Sequence, residues 1–261
     1  MKDVAVIKIG GSTFGSRDTT IEDIVSLQKQ GQALVVVHGG GSTVTDWLKR
    51  QGVATRFVRG ERVTDPPALE VATAVLAGLA NKQIAAGINI RGGRAVGISG
   101  SDGALIESRL KNPEMGYVGE VARVNPGLIE TLLMAGFIPV VSPISLYAVD
   151  RPADAPALIN VNGDPVAGEI AAAIGAARLV FLTDVEGIRD GSGKLAPRLS
   201  AAEAEAWMVS GVIEGGMIPK INACLKALKA GTITRIIDGR QPHALLNEFE
   251  GQAGGTTITS N

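Results

Sequence analysis

Two stretches of the chain, Val4–Ile9 and Ala33–His38, are rich in β-branched residues and almost continuously apolar, the pattern of strands buried on both faces of a parallel sheet. Between them "TTIEDIVSLQKQG" switches to helical spacing, with apolar residues at Ile21, Ile24, Val25 and Leu27, a capping-box pattern at Thr20 and Asp23, and Gly31 as its stop. That segment predicts a crossover helix. The alternation continues with helices over 42–51 and from Asp65-Pro66 through "LEVATAVLAGLANKQIAAGI", and with a strand over 95–98. Further helices are predicted over 125–135, 164–174, 201–210 and 217–230, and further strands over 138–141, 179–183 and 235–237. Residues 105–124 and 146–158 lack helical period and hold several Gly and Pro, so they predict hairpins and loops. Repeated β-α units imply an α/β fold, a three-layer αβα sandwich around a mainly parallel sheet. "DRPADAP" interrupts the pattern near residues 150–157, which divides one domain, 1–261, into soft lobes 1–155 and 156–261.

Composition narrows the partners. The 261 residues are 45% hydrophobic, enough for a large core and too apolar for disorder. Lys plus Arg number 25 against 26 acids, with no run of five like charges, so nothing steers the surface toward nucleic acid or anionic lipid. A small soluble ligand is favoured. The one cysteine, Cys224, lies in the apolar-periodic "INACLKALKA" and is expected to be a core thiol, consistent with a reducing cytoplasm. "MKDVAVIKIGG" lacks the features of an export signal, and no membrane-spanning helix is expected, so the location predicted is cytoplasmic.

Four places break the core pattern with glycine or an unexpected charge. In "VIKIGGS" Lys8 sits inside a strand of Val and Ile, an expensive position for a cation unless an anion meets it, and Gly10-Gly11 follow with bare N–H groups suited to phosphate oxygens. In "VVVHGGGS" a strand empties into Gly39-Gly40-Gly41, and Ser42 is placed to cap the next helix, so strand end, bare amides and helix N-terminus together form an anion site. The "HGGG" run matches an oxyanion-hole motif of lipases, but no G-x-S-x-G accompanies it, and Val44 spoils a dinucleotide fingerprint. His38 is left open between a hydrogen-bonded structural role and a site role. "GSGKL", residues 191–195, lacks the Ser or Thr of a Walker loop and reads as a surface turn. In "LINVNGDPVAGEIA" Asn160, Asn162 and Asp164 punctuate a strand-to-helix junction, where ordinary turn and cap roles compete with function. In "EGGMIPKINAC" Lys220 falls in the first turn of a helix, opposed to its dipole unless an anion sits there.

Taken in order, "VIKIGGS", "VVVHGGGS", "ERVTD", "GISGSDG", "GYVGEV", "INVNGD", "FLTDVEGI" and "EGGMIPK" resemble the amino acid kinase family, in the branch acting on N-acetyl-L-glutamate. The likeness runs from Lys8 to the closing "GGTTI". It implies ATP-dependent phosphorylation of the substrate's side-chain carboxylate, with Mg²⁺, giving an acyl phosphate and ADP in arginine biosynthesis. By that resemblance Lys8 stabilises the phosphoryl group in transit, Lys220 draws charge toward the departing ADP, and Asp164 holds the two lysines. Gly11, Gly40 and Gly41 donate amides to γ-phosphoryl and substrate oxygens. Arg62 grips the α-carboxylate, assisted by Asn160. Gly10 and Gly11, together with Asp184, Val185, Glu186, Gly187, Ile188, Arg189, Val212, Ile213 and Glu214, form the nucleotide pocket. No protein metal-ligand set is implied. Glu61 and Gly163-Asp164 resemble variants that phosphorylate carrier-protein-linked aminoadipate or glutamate, whereas "GGMIPK" sides with N-acetylglutamate. Both lysines and Asp164 are present, against a silent nucleotide sensor. With the first strand starting near Met1, the family's pattern implies a homodimer insensitive to arginine.

Overall fold

The computed structural model describes residues 3–10, 19–58 and 61–260. Its strands, in chain order, are β1 (Val4–Ile9), β2 (Ala33–His38), β3 (Phe57–Val58), β4 (Glu61–Arg62), β5 (Ala95–Ser99), β6 (Ile106–Leu110), β7 (Val118–Val124), β8 (Ile138–Ser142), β9 (Ile144–Tyr147), β10 (Leu158–Val161), β11 (Arg178–Thr183), β12 (Arg198–Ser200), β13 (Ile233–Asp238) and β14 (Thr256–Thr259). The helices are α1 (Thr20–Lys29), α2 (Gly41–Arg50), α3 (Pro66–Thr73), α4 (Asn81–Ile90), α5 (Gly127–Met134), α6 (Gly163–Ala173), α7 (Ala201–Val209), α8 (Met217–Lys229) and α9 (Ala244–Phe249). Eight strands make one sheet in the order β12-β14-β13-β11-β1-β2-β8-β5, parallel throughout except between β13 and β14. The predicted three-layer α/β sandwich is the observed one.

All six residues of β1 are buried, because helices cover both faces of the sheet. The strand's period of two distributes them. Val4 and Val6 pack with Val166, Ile170 and Ile221 of α6 and α8, whereas Ala5, Ile7 and Ile9 pack with Ile24, Ile84 and Ile88 of α1 and α4. Lys8 shares the face of Val4 and Val6, so alternation alone aims its side chain at α6 and α8.

Several expectations are corrected. The segments predicted as hairpins and loops close into a small barrel in the order β10-β7-β6-β9, whose short strands carry too little periodicity to read from sequence. Helix α2 begins at Gly41 with Gly40 as its cap, so Ser42 lies inside the helix and caps nothing. The capping box predicted for α1 does not form: Thr19 occupies the cap position, but its hydroxyl accepts the His243 N–H at 2.7 Å and makes no bond to the start of α1. Asp23 is instead buried, where its carboxylate accepts the N–H groups of Leu245 and Leu246 and the Nδ1 of His243 at 2.8 Å, capping α9 from across the chain. Strands β3, β4, β12 and β14 and helix α9 are additions to the predicted set. The helical run Pro66–Ile90, with a π-helical stretch Ala74–Ala80 at its middle, has the length and composition of a membrane span at a mean hydropathy of 1.3. Here its apolar face, including Ala72, Val75, Ile84 and Ile88, lies within two core clusters. Cys224 is fully buried, and burial pushes its thiol up to about 12, which makes it an inert core residue as expected.

The Asp23–His243 staple generates a pH prediction. The hydrogen bond and charge of Asp23 raise the His243 pKa above 6.5. A raised folded-state pKa stabilises fully below 6.5 and less as pH climbs through the raised value. Melting temperature measured against pH therefore falls for the parent across that upper window, and His243→Asn, which cannot titrate, flattens this part of the curve.

Candidate active site

Three charged side chains meet beyond the carboxyl ends of β1 and β11, the usual place for a ligand in an open α/β sheet. Lys8 Nζ lies 2.6 Å from one carboxylate oxygen of Asp164, and Lys220 Nζ lies 2.8 Å from the other. Lys8 is only 8% exposed and Asp164 6%. Burial is the largest influence on Asp164 and alone would raise its pKa, but the charges and hydrogen bonds of the two lysines outweigh it and hold the carboxyl below its usual range. Burial also dominates Lys8 and lowers its pKa, with Asp164 opposing. A buried cation and a largely buried one share one anion. The cluster carries a net positive charge where the dielectric is low, which invites a further anion.

Local backbone chemistry sets this convergence. Asn162 caps α6 by accepting the Asp164 N–H at 2.9 Å, which fixes Asp164 in the first turn. A side chain on Gly163 would stand 3.2 Å from the His38 carbonyl oxygen and 3.6 Å from Lys8 Cε, so the glycine lets the start of α6 press against β1 and β2. One turn on, a Cβ at Gly168 would meet the backbone of Ala223 at 2.6 Å. The glycine thus brings α6 and α8 close enough for Asp164 and Lys220 to touch. Lys220 Nζ also sits 5.1 Å from the centroid of the Phe181 ring.

Two cavities flank the triad, and Lys8 lines both. One, of about 270 Å³, is bounded by Gly39, Gly40, Gly41, Arg62, Asn160 and Lys8. The other, of about 380 Å³, is bounded by Lys8, Gly10, Thr183, Asp184, Val185 and Lys220. In the first cavity Arg62 Nη2 donates to the Gly41 carbonyl at 2.8 Å and to Thr45 Oγ1 at 2.6 Å, while its buried Nη1 has no hydrogen-bond partner among the described residues. Asn160 Nδ2 donates to Thr64 Oγ1 at 3.3 Å. The N–H groups of Gly40 and Gly41 likewise meet no partner among the described residues.

The remaining predicted residues divide. Asp184 and Val185 are exposed at the end of β11 and line the second cavity. Glu186 pairs with Arg189 at 2.8 Å on the surface. The side chains of Ile188 and Ile213 are core, each 2% exposed, so they support the loops from beneath, and Gly187 occupies φ +150° against Thr256. Val212 and Glu214 are exposed in the turn before α8. The Gly10 N–H is directed to the Leu182 carbonyl at 3.3 Å, and Gly11 lies outside the described residues. Residues 191–195 turn around the Asp190 carboxylate, as a surface turn should. Sequence reasoning missed Phe57, Leu76 and Pro143 in the first cavity and Thr183 and Met217 in the second, because each is an unremarkable core or loop residue until the fold assembles it. Among the described residues no three His, Cys, Asp or Glu side chains cluster as a metal site.

Residues 3–238 match the sequence model of the Amino acid kinase family. A protein of Dehalococcoides mccartyi named acetylglutamate kinase is 50% identical over 98% of this chain and 94% of its own length. The crystal structure of smu.665 from Streptococcus mutans superimposes with a TM-score of 0.83 at 25% identity, covering the whole of both chains. The carbamate kinase of Giardia lamblia bound to AMP-PNP, at 15% identity and covering 99% of each chain, shares the fold with a TM-score of 0.71.

Removing the shared anion leaves the buried Lys8 ammonium facing the largely buried one of Lys220. Asp164→Asn is expected to lose about 3 kcal/mol of unfolding free energy in denaturant titration. The triple variant Lys8→Met, Asp164→Leu, Lys220→Met, which replaces the charges with apolar volume, should recover most of that loss while remaining inactive.

Proposed function

The chain belongs to the amino acid kinase family, and we propose that within it this protein transfers the γ-phosphoryl group of ATP to the side-chain carboxylate of N-acetyl-L-glutamate, in arginine biosynthesis. The products are N-acetyl-L-glutamyl 5-phosphate and ADP. The observation that carries the reading is Lys8 in the shared wall of two cavities, one suited to a small carboxylate and the other to a polyphosphate. A carboxylate oxygen attacks phosphorus, the bond to the β-phosphate oxygen breaks, and the electron pair leaves with ADP.

Each residue then has a task set by its position. Lys8 offsets charge on the phosphoryl oxygens between the two cavities. Lys220, on the nucleotide side, offsets charge growing on the β-phosphate. Asp164 keeps both ammonium groups aimed and charged, so no reorganisation is needed as the group moves. The amides of Gly40 and Gly41 donate to oxygens on the acceptor side. Arg62 offers the orphaned Nη1 to the α-carboxylate, its other nitrogen already anchored on Gly41 and Thr45, and Asn160 borders the same space. Residues 1–155 thus supply most of the acceptor cavity and 156–261 most of the nucleotide cavity. Mg²⁺ needs only one or two carboxylates besides phosphate oxygens, and Asp184 in the second cavity suits that role. When bound it would neutralise β- and γ-phosphate charge.

Trapping the acyl phosphate with hydroxylamine, across N-acetyl-L-glutamate, glutamate, aspartate and carrier-linked aminoadipate, tests the reading. Hydroxamate and ADP should form fastest with N-acetyl-L-glutamate, and preference for a carrier-linked acceptor would overturn the substrate assignment. Lys8→Ala should lower kcat about a hundredfold with a smaller change in KM. Arg62→Lys, which keeps charge but loses the planar fork, should chiefly raise KM for the acceptor.

A further inference from the structure

His38 ends β2 with its ring fully buried, beside the glycine turn and outside the reacting triad. Its two nitrogens meet partners that decide its protonation. Nε2 lies 3.2 Å from Asn81 Nδ2, and Nδ1 lies 2.7 Å from the Gly39 carbonyl oxygen. The Asn81 amide is not free to flip: Lys82 Nζ donates to its Oδ1 at 3.1 Å, while its Nδ2 donates to the carbonyls of Ile98 at 3.0 Å and Val140 at 2.8 Å. With both Nδ2 hydrogens directed to these carbonyls, the amide nitrogen offers Nε2 a donor group and no acceptor, so nothing there could receive a proton on Nε2. A proton on Nε2 would set donor against donor at Asn81, and a bare Nδ1 would set lone pair against lone pair at Gly39. Both ends of the ring require the same tautomer. Burial, reinforced by Lys8 and opposed by the bond to Gly39, pushes the His38 pKa down to about 4, so the ring stays neutral.

The consequence falls on the next peptide. The peptide between Gly39 and Gly40 is trans, so its carbonyl and N–H point in opposite directions. Holding the Gly39 carbonyl against His38 turns the Gly40 N–H away from the ring. Gly40 lines the acceptor cavity, its N–H has no partner among the described residues, and its φ of +148° is one that only glycine adopts readily. The π-helical stretch Ala74–Ala80 presses on the same turn, with Leu76 Cδ2 2.7 Å from where a Gly40 Cβ would stand. Bonds of the i→i+5 kind bring residues five apart onto one side, and Leu76 and Asn81 are five apart. One widened turn thus touches both Gly40 and His38.

We propose that His38 is a positioning residue for phosphoryl transfer: its neutral, Nδ1-protonated ring, keyed by Asn81, pins the Gly39 carbonyl and so aims the Gly40 N–H at the oxygens of the acceptor and the transferring group. The inference rests on the kinase reading, and the experiment separates the two. Turnover of the parent with N-acetyl-L-glutamate tests the reading, whereas the state of the ring is read without substrate. A long-range ¹H–¹⁵N spectrum of the histidines should show His38 protonated on Nδ1 and bare on Nε2 across the whole range in which a free imidazole titrates. His38→Leu should lower kcat about a hundredfold while leaving KM for ATP nearly unchanged. His38→Asn, whose Nδ2 places a donor near the Nδ1 position, should restore most of kcat. An Nε2-protonated or titrating ring overturns the proposal. So does a folded His38→Leu with parental kcat, or a folded His38→Asn as impaired as His38→Leu. If His38→Leu fails to fold, the spectrum and His38→Asn still decide.

Discussion

One carboxylate holds two ammonium groups in a nearly water-free place, and the rest of the site depends on that arrangement. Asp164 reaches Lys8 with one oxygen and Lys220 with the other. Without the acid, the two largely shielded cations would repel each other, and without the cations it would shed its charge. Asp164 and each lysine favour one another's charged forms, while the two lysines oppose each other and leave an excess positive charge. In the proposed reaction a phosphoryl group in transit supplies the missing negative charge. Stability and catalysis therefore draw on the same electrostatic imbalance.

The fold delivers these groups from three distant parts of the sequence, and small residues make the delivery possible. Strand alternation turns Lys8 toward α6 and α8. Gly163 lets α6 start against β1 and β2, Asn162 caps it, and Gly168 admits α8 at backbone contact. On the acceptor side the glycine turn is held at its carbonyls and at the Gly39 N–H, which donates to Ile9, and leaves the Gly40 and Gly41 N–H groups without a partner among the described residues. Rigid strands and helix starts thus fix the reacting geometry, as phosphoryl transfer requires, since positioning is most of what the protein contributes.

Much of this was legible in the sequence because the misplaced charges were conspicuous. A lysine among valines and isoleucines, and another in a helix's first turn, announce a missing anion, but Asp164 as their partner comes from the family resemblance, because a residue at a strand-to-helix junction reads equally as an ordinary turn or cap. The αβα order followed from runs such as Val35–Val37 and from helical spacing between them. The small barrel did not, since β9 and β10 are four residues each and reveal their pairing only in three dimensions. Asp23 misled for a physical reason: it has the local spacing of a capping box, but a burial site and an uncapped helix end 220 residues away compete for the same carboxylate. His38 stayed undecided in one dimension because its meaning depends on Asn81, brought to it by a π-helical turn that has no sequence signature in "AVLAGLA".

The most direct test is a crystal structure with MgADP, N-acetyl-L-glutamate and a planar aluminium fluoride that mimics the phosphoryl group in flight. The account predicts the mimic between the two cavities, with the Nζ atoms of Lys8 and Lys220 and the Gly40 N–H all within hydrogen-bonding distance of it or of the oxygens it bridges. A mimic bound elsewhere, or with either lysine still turned away toward Asp164 alone, would contradict it.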